Sequence, residues 1–523
     1  MSKARSDLLW WGLLAAIPIA VNFGPMLAGQ LLSDSLGYVY QAQIWQQQGF
    51  LSSLSGYLGE GFQDGLMAWR PLMLSLFSAE FAWFGANATA WRAIHLCLHL
   101  LNCVLIGALM QRLWGGDRLA ALMATLLFAS FAATVETVAW VADGGQVLAM
   151  ALALGSALCL PSQSTSNRIW LSVLMAALAM SAKETGVLAV LLCALVALSQ
   201  QPVSSVFSRV LATLRTISPH LAVLLLYLVL RWWLFDDPTL VFEHRPAEQF
   251  TLGQLPAKLD ALWLAFGPAS IDAPVIGTVV RWLTAITTVV AIAALLLANK
   301  HRLLAVATVA CLLLLTAASL PLLQTGLPGQ GGRHLYFWAL LWSIVLAGSL
   351  VAVRATATET IKHGLLVCLV VTVLGQALLQ HRMAAPWVRA SHSMAELIDS
   401  IAIVASPSEP PLLIAPDRLG SVYFARNAQG AMTSQPLQSP DLSDSAYLTT
   451  PELVWPLLDY LALESTPAAY CWSVQTGHWQ AVSLAALDKA LTMPQLRSIY
   501  RRAACEDIAA SVRRNSLQIN RTP

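Results

Sequence analysis

Long apolar runs separated by short polar connections dominate the chain. A helix that crosses a bilayer needs roughly 20 mostly apolar residues, within a range of about 17–25. On that measure the pattern predicts about eleven spans, near 8–27, 93–112, 118–134, 146–160, 169–182, 185–199, 219–235, 281–298, 303–323, 335–353 and 363–380. No A-x-A cleavage site follows the first run, so 8–27 reads as a retained span. Segment 71–85 is too short for a comfortable crossing, and Glu80 would meet lipid there. Its Leu72, Leu76, Phe77, Phe81 and Phe84 share helical spacing, which predicts a helix lying in the membrane interface.

Charge gives these runs a direction. With the N-terminus in the cytoplasm, the short inner segments hold Lys3, Arg5, Arg112, Arg118, Arg168, Arg209, Arg215, Lys300, Arg302, Arg354 and Lys362. The longer outer connections before residue 381 hold fewer basic residues, which is the positive-inside bias. Counting 71–85 as a span would move Arg112 and Arg118 outside. In the favoured orientation Asp34, Glu136, Asp143, Lys183, Glu184 and Arg333 fall at the outer face. So do a first outer loop at 28–92, a long outer loop at 236–280 and everything beyond residue 380. Ionisable groups at membrane depth are costly and tend to mark sites.

Composition narrows the class. Of 523 residues, 57% are hydrophobic and 11% charged, against about 25% charged in soluble domains. Net charge is +2 with no basic block, which argues against a nucleic-acid partner. Residues 1–380 therefore read as a membrane domain, and 381–523 as a small mixed α/β domain. There "PPLLIAPD" predicts a strand, and "SPDLSDSAYLTTPELVWPLLDYLAL" a turn leading into a helix. Cys471 and Cys505 are the two cysteines outside the apolar runs, and in an oxidising periplasm they are expected to form a disulfide.

Five motifs occur in order: "WRPL" (69–72), "HLLN" (99–102), "LLFASFAATVETVAWVADGGQVL" (126–148), "SAKETG" (181–186) and "GGRHLYFW" (331–338). Together, at these membrane positions, they resemble the GT-C superfamily of membrane glycosyltransferases. Within it the chain is most similar to bacterial relatives of the transmembrane O-mannosyltransferases that carry tetratricopeptide repeats. The C-terminal region shows no such repeat. The resemblance implies an all-α polytopic GT-C fold in the cell inner membrane. It also implies a hexosyltransferase that takes sugar from a polyprenyl-phosphate-linked donor and passes it to a glycan, lipid or protein acceptor. No cofactor follows from it, and a divalent metal stays open. Two other readings remain: a transporter or flippase of lipid-linked sugars, and a polysaccharide polymerase or ligase.

Such a transfer needs a base for the acceptor hydroxyl and positive charge for the departing phosphate. Asp34, at the end of the first span, is the candidate base, and the resemblance places a catalytic acid there; alternatively it caps the helix that follows. Arg333 follows a glycine-rich loop, and its planar fork suits phosphate oxygens; alternatively it is a snorkelling side chain at a helix end. Tyr336 is grouped with it as a substrate contact. Lys183 and Glu184 are adjacent and so face different neighbours, with a phosphate for Lys183 and a hydroxyl or structural partner for Glu184, or each neutralising the other. Glu136 is the candidate for sugar or acceptor contact. His95 and His99, at i and i+4, could ligate metal or serve as buried polar contacts. Loop 236–280 is long enough to act as a lid over the donor.

Overall fold

The computed structural model describes residues 3–49, 69–161, 168–202, 205–235, 251–267, 274–297, 302–323, 331–419, 422–450, 468–474 and 476–482. In chain order the helices are α1 Lys3–Phe23, α2 Asp34–Gln48, α3 Pro71–Phe84, α4 Ala88–Leu113, α5 Arg118–Ser130, α6 Val135–Ala139, α7 Gly144–Cys159 and α8 Arg168–Ala182. They continue as α9 Leu188–Gln200, α10 Val206–Phe235, α11 Leu255–Ala265, α12 Pro274–Leu297, α13 Arg302–Ser319, α14 Tyr336–Thr356, α15 Glu359–Val404 and α16 Gln429–Thr433.

Among the described residues, eight helical segments are long and apolar enough to cross a membrane: Asp7–Ala28, Ala88–Leu113, Val141–Cys159, Val206–Phe235, Val275–Leu297, Arg302–Leu322, Gly332–Arg354 and Glu359–Val404. Each matches a predicted span. The span predicted over 118–134 is broken instead, with a 50° bend between Arg118–Ser130 and Ala132–Ala139. No proline marks the break. Phe131 leaves the helix with φ −67° and ψ 115°, and backbone groups freed at membrane depth must find partners inside the protein. Two glutamines of α15 supply them. The Ala132 N–H donates to Gln376 Oε1 at 3.1 Å, and Gln380 Nε2 donates to the Ala129 carbonyl at 2.9 Å. The spans predicted at 169–182 and 185–199 become α8 and α9, of 15 and 13 residues. At 1.5 Å per residue these are about 22 and 20 Å long, under the roughly 30 Å of a hydrocarbon core. Their connection is tight: a Cβ on Gly186 would collide with the Ala179 backbone.

The bundle is built around α14. Its Trp338 and Trp342 stack on each other at 6.1 Å, and Phe131 lies 4.7 Å from Trp342. Peripheral helices turn large apolar side chains outward, among them Trp10, Ile17, Leu225 and Trp233, as a lipid-facing surface does. The segment predicted to lie in the interface is α3, which packs against α2, α4, α7 and α8. Glu80 is thereby buried in protein.

Helix α15 has 46 residues, about 69 Å at the α-helical rise, more than twice the bilayer core. The expected domain boundary at residue 380 falls inside it. Its second half carries the C-terminal strands β1 Leu412–Ile414, β2 Arg418–Leu419, β3 Val422–Tyr423, β4 Tyr447–Thr449, β5 Ala469–Ser473 and β6 His478–Val482. Four form a sheet of order β4-β1-β5-β6, with β1 parallel to both neighbours and β5–β6 an antiparallel hairpin. Strands β2 and β3 pair separately. The predicted strand in "PPLLIAPD" is β1; the helix predicted beyond residue 450 lies outside the described residues. Of loop 236–280, residues 251–267 are described, with α11 in them, and 274–280 open α12. The chain is thus an all-α polytopic membrane protein with a small mixed α/β region at its C-terminal end.

Candidate active site

Asp34 opens α2, but it is not the residue that caps it. The N-cap is Ser33, which holds a left-handed φ of 52° and makes no side-chain cap bond. The Asp34 carboxylate is half-buried, and its Oδ1 accepts a hydrogen bond from Asn427 Nδ2 at 2.7 Å. At the first helical position a carboxylate is also favoured by the helix dipole. Burial raises the Asp34 carboxyl above the ordinary aspartate range; the Asn427 bond and the Arg426 and Arg333 charges pull the other way. The following residue ties α2 to the broken segment, since Ser35 Oγ accepts from the Ala142 N–H at 2.9 Å.

The broken segment, residues 131–143, carries two buried carboxylates. Glu136 accepts from the Arg333 backbone N–H at 3.3 Å, and its side chain lies 3.9 Å from Arg333 Nη1. Two glycines allow this approach. Gly331 adopts φ 80°, and a Cβ on Gly332 would run into the Ala133 carbonyl. A left-handed residue and a position with no room for a side chain therefore set Arg333 beside Glu136. The Arg333 guanidinium also lies over the Trp140 ring at 5.0 Å. Asp143 takes the other cation, forming an ion pair with Lys183. Its Oδ2 and the Trp140 indole N–H are buried without a partner among the described residues.

Lys183 and Glu184 do turn to different neighbours. Glu184 receives a forked contact from Arg70, with Nε at 3.1 Å from each oxygen and Nη2 at 2.9 Å. Arg231 Nη1 stands 3.9 Å away. Glu184 is therefore the centre of an ion network. Tyr38, one turn along α2 from Asp34, is within electrostatic reach of Arg70, Asp34, Asp143 and Glu184. Arg333 similarly feels Glu136, Asp143, Tyr423 and Asp34. So Asp34, Glu136, Lys183, Glu184 and Arg333, scattered over three hundred residues, meet in one cluster.

Tyr336, expected as a substrate contact, hydrogen-bonds on the core side of the cluster. It is fully buried at the first position of α14, where its hydroxyl meets His99 Nδ1 at 2.7 Å and Asn102 Nδ2 at 3.2 Å. His99 is thus a core partner, and His95 meets the Thr137 carbonyl at 2.9 Å instead. The two histidines share no common point. Cys471 sits on β5 and is disulfide-bonded; Cys505 lies outside the described residues.

Several cluster members went unpredicted. Arg70 stands in the quoted "WRPL" motif, where a cation directly before a proline-started helix was the available signal. Arg231 is the single charge near the outer end of its apolar run. Tyr423, Arg426 and Asn427 come from the C-terminal region, where nothing in the residue pattern singles them out.

Fold and cluster together define a multi-pass membrane protein with a paired set of cations and carboxylates enclosed between the helix ends and the C-terminal region. Its structure is similar to a crystal structure of ArnT from Cupriavidus metallidurans bound to undecaprenyl phosphate, with a TM-score of 0.46 and 14% identity over 84% of this chain and 85% of that one. The same protein in its apo state gives a TM-score of 0.38 and 14% identity over 80% of this chain and 84% of that one. No protein-family model and no curated sequence matches the chain.

Proposed function

We propose that this protein is a polyprenyl-phosphate-dependent glycosyltransferase of the GT-C type, acting at the periplasmic face of the cell inner membrane. The carrying observation is the pairing of roles in the cluster. Asp34 is a carboxylate held by an amide and free of any close ion pair among the described contacts. Of Lys183, Arg70 and Arg333, Arg333 holds its carboxylate most loosely: Lys183 is pinned on Asp143 and Arg70 is forked on Glu184, whereas the Arg333 guanidinium stands 3.9 Å from Glu136, meets His334 Nε2 at 3.3 Å and keeps its side chain 20% exposed. The motifs that resemble the GT-C superfamily supply Arg70, Glu136, Asp143, Lys183, Glu184 and Arg333, and Asp34 stands ahead of them at the end of the first span.

In this mechanism Asp34 takes the proton from the acceptor hydroxyl as that oxygen attacks C1 of the donor sugar. The bond between C1 and the phosphate oxygen breaks, and its electron pair leaves with the polyprenyl phosphate. Arg333 meets the charge that develops on the leaving phosphate. Glu136 and Trp140 hold Arg333 in place, while the ion pairs of Lys183 and Glu184 keep the helix ends together. The donor is a lipid-linked hexose, and its chain lies against the apolar helices. The N-terminus is cytoplasmic and the C-terminal region periplasmic. A membrane-impermeant thiol reagent added from outside should therefore label a cysteine placed at Gly430 and spare one at Glu359.

The direct test reconstitutes the full chain with the total lipid extract of a strain that lacks it. Release of polyprenyl phosphate, read by mass spectrometry, is the expected result. Movement of the intact lipid-linked sugar across the bilayer with no carrier phosphate released would make the protein a transporter instead.

A further inference from the structure

The first loop of the membrane domain is gripped by three residues of the C-terminal segment 424–427. The Ser33 N–H donates to the Phe424 carbonyl at 2.7 Å, Ser33 Oγ donates to the Arg426 carbonyl at 2.9 Å, and Asn427 Nδ2 donates to Asp34 Oδ1 at 2.7 Å. Among the described residues, Ser33 and Asn427 are the two non-glycine positions with positive φ, at 52° and 57°. Non-glycine residues adopt that region uncommonly, asparagine more readily than most. Both belong to this contact: Ser33 is bonded to Phe424 and Arg426, and Asn427 to Asp34. Beside them Tyr423 stacks on Trp140 at 5.4 Å, the same ring that carries Arg333. Arg418 and Arg426 lie on Tyr423, at 4.2 and 5.2 Å from its ring centre.

We propose that the C-terminal region completes the active site, with Asn427 as the positioning residue that orients the Asp34 carboxylate. This rests on the assignment of Asp34 as the base. An amide N–H on one carboxylate oxygen restricts rotation of the group and favours its charged form. The other groups acting on Asp34 are Arg333 from the turn before α14, Arg426 from the same C-terminal segment, and Ser33 and Tyr38 on its own side. Two of these are cations, and neither makes a direct bond to it among the described contacts. Asn427 thus supplies direction where the arginines supply only field.

The experiment compares the full-length wild type with Asn427→Gly, Asn427→Asp and Asp34→Asn in lipid nanodiscs. Substrate is the total lipid extract of the deletion strain, and released polyprenyl phosphate is followed against pH. Glycine accepts the left-handed backbone at 427, so Asn427→Gly removes the amide alone. It should lower kcat about 10- to 100-fold, the scale of a misoriented reacting group, with the donor KM unchanged. The acidic limb of the rate profile should move to higher pH. Asn427→Asp should move that limb further, because a second carboxylate opposes ionisation of the first. In an Asp34→Asn background, Asn427→Gly should have no further effect. A merely structural residue would reduce the yield of folded protein and leave the limb in place. An unchanged limb in Asn427→Gly, with Asp34→Asn inactive, overturns this inference alone. Full activity of Asp34→Asn overturns the base assignment and this inference with it.

Discussion

Replacing Glu184 by glutamine separates the structural part of the cluster from the chemical part. Glu184 accepts two Arg70 nitrogens at 2.9–3.1 Å and faces Arg231 at 3.9 Å. Its side chain is 6% exposed and that of Arg231 1%. Glutamine keeps the shape, removes the negative charge, and turns an NH2 toward guanidinium groups that also only donate. Removing one partner of a buried pair costs about 3–5 kcal/mol, chiefly because the remaining charge is stranded. Arg70 retains more contact with solvent than Arg231, at 15%, so the lower end, about 3 kcal/mol, is the expected loss. Chemical denaturation of the detergent-purified protein, followed by tryptophan fluorescence, measures it. The cycle with Arg70→Gln isolates the pair, and the double variant should be less destabilised than the sum of the singles, with a coupling of about 1–3 kcal/mol. A Glu184→Gln protein within 1 kcal/mol of the wild type, or a coupling near zero, would refute the view that this network holds the helix ends together.

Four further outcomes are expected. Because burial raises the Asp34 carboxyl, transfer should fail as pH falls through a value above the ordinary aspartate range of about 3.9. The same raised value means that ionised Asp34 opposes folding. Its stabilising contribution is present below the unfolded pKa and lost as pH rises through the folded one, so Asp34→Asn should be at least as stable as wild type at pH 7. Gly332→Ala should push the 331–333 turn off Ala133 and release Arg333 from Glu136, costing about 1–3 kcal/mol by overpacking and weakening donor retention in a lipid-binding assay. Alkylation of denatured, unreduced protein should leave Cys471 and Cys505 unmodified as a bonded pair; a free thiol at Cys505 would assign the Cys471 disulfide elsewhere.

The apolar runs made eight spans legible because length and hydropathy alone decide them. What sequence could not show was where backbone breaks inside an apolar run. Residues 118–139 contain no glycine or proline, and the break at Phe131 exists because Gln376 and Gln380, some 250 residues later, satisfy the exposed groups. Charged residues at run ends were legible as a set, since ions are rare enough here to stand out. Their pairing was not: Glu184 was seen, but of the arginines that surround it Arg70 stands just before α3 and Arg231 on α10. The partners of Tyr336 were illegible because a tyrosine one turn from Arg333 can face either the cluster or the core, and His99 and Asn102, which its hydroxyl meets, lie on α4. Asn427 was illegible for a further reason. Its role depends on a left-handed backbone and on a contact across 393 positions.

The division of labour between Asp34 and Arg333 is tested most directly by measuring donor binding and turnover together in Asp34→Asn and Arg333→Ala. Both proteins would be purified in full and checked for folding, with binding and single-turnover release read on the deletion-strain lipid extract. Asp34→Asn should lower turnover by about 10²–10⁴, the range of acid–base catalysis, and bind the lipid-linked sugar as the wild type does. Arg333→Ala should weaken binding as well as rate, by about 1.5–3 kcal/mol for a lost charged hydrogen bond. Wild-type turnover by a folded Asp34→Asn protein, or loss of donor binding in Asp34→Asn but not in Arg333→Ala, would contradict the account.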